Sequence, residues 1–176
     1  TLVPASIAEQ LNRGCACRFL DQKKLQQQLE QDPALHGLAA EIAASRPHLF
    51  SATMVFITQR QKQQMQQIIS AVERVVALPR WQQQALAEAP AIARLEHGPR
   101  GVFFGYDFHL GDDGPQLIEI NTNAGGAILN HVLANAQTAC CSEIQPLLRA
   151  AGNDTQLPEQ WLQMFWQEWR SQRQSD

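Results

Sequence analysis

Lysine is scarce in this 176-residue chain, occurring only at Lys23, Lys24 and Lys62. With 14 basic side chains against 17 acidic ones, the formal net charge is −3 and no basic block appears. That balance argues against a nucleic-acid partner, which needs clustered cations to neutralise phosphates. Long apolar runs are also missing. Nothing approaches the ~18 consecutive apolar residues that cross a bilayer, so no membrane partner is expected. No signal-peptide pattern opens the sequence. The cysteines are few and badly spaced: Cys15-Ala-Cys17 and Cys140-Cys141 fit neither a structural zinc site nor a bridge between neighbours. The expectation is a cytoplasmic protein with reduced thiols. No internal repeat is visible. A nucleophilic hydrolase finds no support either, because G-x-S-x-G does not occur and Cys140-Cys141 falls late in a predicted helix.

What remains is 44% hydrophobic, enough to bury a core. The pattern predicts an α+β fold, a helix-rich domain around a small antiparallel sheet. It forms a single domain or domain fragment: a helical part over 1–48, a strand–helix and hairpin core over 49–151, and a C-terminal amphipathic helix over 152–176. Ile7 and Leu11 open with a short apolar pattern stopped at Arg13-Gly14. Asp21 is placed to cap a helix carrying Leu25 and Leu29, and Pro33 ends or restarts it. A further helix is predicted over Ala34–Ser45, closed by Arg46-Pro47 because the residue before proline avoids the α region. Leu49–Thr58, β-branched and aromatic, reads as a strand. Gln59–Leu78 is the clearest amphipathic helix, with Met65, Ile68, Ile69, Val72, Val75 and Val76 as its core stripe. Pro79 breaks it, and Arg80–Ala89 makes another short helix.

Gly101–Asn130 carries the chemistry. Two alternating apolar runs, GVFFGYDFHL and PQLIEIN, flank the turn composition GDDG and read as a β-hairpin. Period-two alternation puts Phe104, Tyr106, Phe108, Leu110, Ile118 and Ile120 on one side. The other side carries Asp107, His109, Glu119 and Asn121. Two carboxylates at the middle of a semi-buried face would cost several kcal/mol, about what Mg²⁺ between them would offset. A solvent-facing polar strand face is the alternative. For both carboxylates to share a face, Asp107 is expected opposite Glu119, His109 opposite Leu117 and Gly111 opposite Pro115. The turn is then a three-residue loop with Gly114 in the left-handed position. The Asn121–Gly126 loop leads into a helix predicted over Ala127–Cys141, and another follows over Ser142–Ala151. The last helix bears Trp161, Leu162, Phe165, Trp166 and Trp169 on one wide face. Those aromatics pack either on this same domain or on a part outside it.

The motif D-x11-E-x-N-x-N-x-G-G on a hairpin resembles the metal-binding end of ATP-grasp enzymes, in particular the circularly permuted glutathionylspermidine synthetase and glutathione synthetase-like branch. The resemblance covers thirty residues of 176. It implies Mg²⁺ or Mn²⁺ and ATP as cofactors, with Asp107, Glu119 and Asn121 as metal ligands. Asn123, Gly125 and Gly126 would contact phosphate, and His109 would face the substrate. Many members carry arginine two residues before the Asp, where Gly105 stands here. The implied activity is an ATP-dependent carboxylate–amine or carboxylate–thiol ligase using an acyl phosphate. Such enzymes clamp the nucleotide with lysines on a separate subdomain, and all three lysines here fall in predicted helices. The expectation is therefore an N-terminal portion of a longer ligase, inactive alone. Its partners would be small-molecule substrates, plus the rest of the protein or a second copy docked on the Trp161–Trp169 helix. The alternative is a non-catalytic binding or scaffolding module.

Overall fold

The computed structural model describes residues 6–14, 20–31, 33–96, 98–122, 124–139, 142, 144–146 and 157–173. Among these are seven α-helices and one two-stranded sheet. In chain order they are α1 (Ile7–Gly14), α2 (Gln22–Gln31), α3 (Leu38–Ser45), α4 (Gln59–Val76), α5 (Pro79–Ala87), β1 (Gly105–Gly111), β2 (Gly114–Asn121), α6 (Ala127–Ala136) and α7 (Leu157–Arg173). This is the expected helix-rich α+β composition. Contacts divide the chain into two compact units, Thr1–Phe56 with Gly125–Thr155, and Ile57–Ala124 with Gln156–Asp176. All four cysteines, Asn123 and His97 lie outside the described residues, as does most of the helix expected over Ser142–Ala151.

In the first unit, helix starts follow their caps. The Ser6 hydroxyl accepts the Glu9 N–H at 3.2 Å while the Glu9 carboxylate accepts the Ser6 N–H at 2.7 Å, a reciprocal capping box. Asp21 caps α2 as expected, accepting the N–H groups of Lys23 and Lys24 at 3.0 and 3.1 Å. Helix α2 packs on α3 and α6, and Leu29, Ala136 and Ile144 are buried there. The helix expected from Ala34 is split. Pro33–Leu35 forms a 3₁₀ turn, and Gly37 at φ +85° interrupts the chain before α3 begins. Helix α6 stops at Ala136 rather than Cys141, because Gln137 turns extended and bridges Leu20.

Leu49–Thr58 is not a strand. Exposure does alternate with period two from Ser51 to Thr58, but no strand pairs with it among the described residues. Instead the Asn12 side-chain amide accepts the Phe56 N–H and donates to its C=O, both at 2.8 Å. One amide thus stands in for a ladder partner.

The second unit is built on α4, opened by a capping box between Thr58 and Gln61. Its apolar stripe is less buried than a core stripe should be. No α4 residue is fully buried, and Val75 and Val76 are half exposed. Pro79 stands at the first turn of α5. The hairpin lays β2 along α4, which supplies the packing that a lone two-stranded ribbon lacks. Tyr106 donates to Glu73 of α4 at 3.4 Å. Burial raises the Tyr106 hydroxyl above its ordinary value, and the Glu73 charge adds to this. Helix α7 clamps the stem of β1. Glu168 accepts the N–H groups of Arg100 and Gly101 at 2.7 and 3.0 Å, and Phe103 meets Trp161 and Phe165 edge-on.

Candidate metal centre

Asp107 of β1 stands directly opposite Glu119 of β2. The route to that pairing differs from the expected one. Asp112 and Asp113 form a two-residue turn with Gly111 opposite Gly114, Leu110 opposite Pro115, His109 opposite Gln116 and Phe108 opposite Leu117. The expected three-residue loop, with His109 facing Leu117 and Gly111 facing Pro115, does not form. Continued regularly, this ladder would set Asp107 against Ile118 and send Glu119 to the other face. A register shift between Asp107 and Phe108 prevents this by leaving Ile118 unpaired. Ile118 is a β-bulge, 67% exposed, and it returns Glu119 to the Asp107 side.

The bulge also redraws the apolar face. Pro115 is buried and Leu117 half-buried beside Phe108 and Leu110. Ile118, expected among them, points away from any core, and Ile120 and Phe104 are 38% and 44% exposed. β1 begins only at Gly105, so Phe104 precedes the strand.

Asn121 joins the carboxylates. It pairs with Gly105 across the ladder, and its amide nitrogen donates to the Asp107 carboxylate at 3.4 Å. Gly105 is constrained by close approach rather than by φ. A Cβ there would lie 3.1 Å from Ala124 Cβ and 3.5 Å from Asn121 Cβ. The Ala124 N–H donates to the Phe103 carbonyl at 3.2 Å, holding that loop against the segment that leads into β1.

No family model, curated protein or solved structure matches this chain.

One face of the hairpin therefore holds Asp107, His109, Gln116, Glu119 and Asn121. Gln116 is the member that sequence reasoning missed, since its place opposite His109 depends on where the bulge falls. The face is not semi-buried as expected. Asp107, His109 and Glu119 are exposed and Asn121 is half-buried. Two opposed surface carboxylates cost tenths of a kcal/mol up to about 1 kcal/mol, so desolvation does not demand a cation here. Among the described residues no group of three or more His, Cys, Asp or Glu could hold a metal. The donors on offer are two carboxylates and one amide oxygen. That set is hard, and it suits Mg²⁺ or Mn²⁺ with water or phosphate filling the remaining positions. Asn121 presents its nitrogen to Asp107, so service as a ligand requires its amide to turn over.

Gly125 and Gly126 open the first unit's share of the chain after the hairpin. Gly126 precedes α6 and offers no side-chain cap to its first turn.

Proposed function

We propose that the polar face of the hairpin binds Mg²⁺ or Mn²⁺ and, through it, the phosphates of ATP. In this reading the chain is the metal- and phosphate-binding portion of an ATP-dependent ligase that joins a carboxylate to an amine or thiol through an acyl phosphate. The observation that carries it is the opposition of Asp107 and Glu119 across a bulge at Ile118, with Asn121 in contact with Asp107. A bulge that re-aims one side chain has most value where that side chain has work to do. The D-x11-E-x-N-x-N-x-G-G motif adds the resemblance to ATP-grasp enzymes.

In such chemistry the cation neutralises charge on the transferred phosphoryl group, so oxygen donors matter more than a protein nucleophile. Asp107 and Glu119 are the ligands, and Asn121 completes the set. Asn123, Gly125 and Gly126 are assigned to phosphate and His109 to the substrate. The face of α7 bearing Trp166 and Trp169, beside an open groove of about 550 Å³ that Pro99 also lines, is assigned to another part of the same protein or a second copy.

A second reading is supported by the lysines, which lie on α2 and α4 and not on a strand or glycine-rich loop. It takes the chain as a non-catalytic binding or scaffolding module that keeps the cation site.

Titration of the folded chain with Mn²⁺, following the free ion by electron paramagnetic resonance, tests the site. Binding is expected to be weak and to fall at least ~10-fold in Asp107→Asn, a loss of about 1.4 kcal/mol. Equal binding in the variant would remove the carboxylate pair from the account.

A further inference from the structure

Helices α2 and α3 of the first unit pack against each other but do not fill the space between them. A cavity of about 260 Å³ remains, bounded also by Pro47 and Phe50. Its cause is in the sequence of α3, LAAEIAAS, which offers Ala39 and Ala43 to a gap whose other side carries Leu25 and Leu29. Small side chains facing large ones across a helix pair leave a hollow, and because Ala39 is half-buried and Ala43 exposed it opens to solvent.

The lining is graded. Leu29 is 2% exposed, and Leu25, Ile42 and Phe50 are half-buried, so the deep part is apolar. Gln22, Gln26 and Arg46 are exposed and are the polar residues among the described lining. Among the described residues that line the cavity none is acidic, and Arg46 is the charged one. Among the described residues the one ion pair joins His36 to Glu30, so the Arg46 guanidinium meets no carboxylate there.

An apolar floor under one cation and two amides is complementary to a particular ligand. We propose that this cavity binds a small amphiphilic monocarboxylate. Its apolar body lies on Leu25, Leu29, Ile42 and Phe50, and its carboxylate meets Arg46. The planar guanidinium can take both oxygens of a carboxylate at once. The volume is close to the lower end for small-molecule sites, ~300 Å³, which excludes a nucleotide. The apolar floor disfavours a sugar, whose hydroxyls would lose water without finding partners. This site uses no hairpin residue and stands whether or not the hairpin binds a cation.

Calorimetric titration of the whole chain with octanoate tests it, with octanol and octylamine as probes of equal length. Octanoate is expected to bind below ~10 mM, with octylamine at least ~10-fold weaker. Arg46→Met should weaken octanoate ~10-fold or more and leave octanol unchanged, because only the carboxylate contact is lost. Ala43→Leu, which fills the gap, should weaken octanoate and octanol together. Ala39→Val serves the same purpose should circular dichroism show that Ala43→Leu is unfolded. No binding at ~10 mM, equal binding of octanoate and octylamine, or octanoate binding indifferent to Arg46→Met or to the filled cavity would each overturn the proposal.

Discussion

Gly98 and Gly114 both hold a positive φ, +87° and +105°, yet they answer to different neighbours. A Cβ on Gly98 would lie 2.6 Å from the backbone carbonyl oxygen of Ser171 in α7, whereas on Gly114 it would meet only the flexible Gln64 amide at 3.4 Å. The left-handed conformation costs an L-residue about 1–2 kcal/mol at either position. Gly98 adds a backbone collision that cannot be relieved by a rotamer change. Gly98→Ala is therefore expected to destabilise the second unit at least ~1 kcal/mol more than Gly114→Ala does. Trp81, Trp161, Trp166 and Trp169 all belong to that unit, so tryptophan fluorescence in urea reports on it. Equal losses in the two variants would mean that α7 yields freely at Ser171. Because Asp107 and Glu119 are exposed, their mutual repulsion is modest, and the fold does not need a cation between them.

Elements were legible where one local rule settles them. The apolar spacing of α4 gives its face and Pro79 ends it, while its Thr58–Gln61 capping box went unread. The hairpin was equally plain, since two alternating runs around GDDG admit little else. Its register was only half legible. GDDG can close as a two- or a three-residue loop, and Ile118 absorbs the difference, a choice that no residue pattern encodes. Leu49–Thr58 shows the limit of periodicity, which specifies an extended chain but not whether a partner strand exists. Asn12, more than forty positions away in sequence, took that place. Hydrogen bonds from the Ser6 backbone N–H, then from the Ser6 hydroxyl, lower the Glu9 pKa, with Arg13 adding a smaller pull. A depressed carboxylate stabilises above its unfolded pKa, and that contribution is lost as pH falls through the lower folded value. The cap of α1 should thus be fully formed at neutral pH and loosen only in acid. Carboxyl resonances followed by NMR should place Glu9 below the ordinary glutamate range. Ser6→Ala should raise it only part-way, since the backbone N–H remains. A Glu9 titration unmoved by Ser6→Ala would show that the hydroxyl plays no part.

For the whole molecule, the division into units cuts the stretch that the sequence presents as one motif. Asp107, Glu119 and Asn121 belong with α4 and α7, while Gly125 and Gly126 belong with α2 and α6. Among the described residues no helix is long and apolar enough to cross a membrane. Charge is distributed in a way that bears on turnover. All three lysines sit on helices, Lys23 and Lys24 at the start of α2 and Lys62 in the first turns of α4. A phosphoryl-transfer site needs cations held against the nucleotide as charge shifts, and the metal supplies only part of that. This chain alone is therefore expected to turn over ATP more slowly than ~1 s⁻¹, an ordinary enzymatic rate, even where Mn²⁺ binds. Phosphate release measured on a preparation verified by mass, beside Glu119→Gln as the control, decides the point. Background release would be the same in both proteins. Turnover above ~1 s⁻¹ that Glu119→Gln abolishes would show that other side chains of this chain do the work of a lysine clamp, and the scaffolding alternative would fall with it.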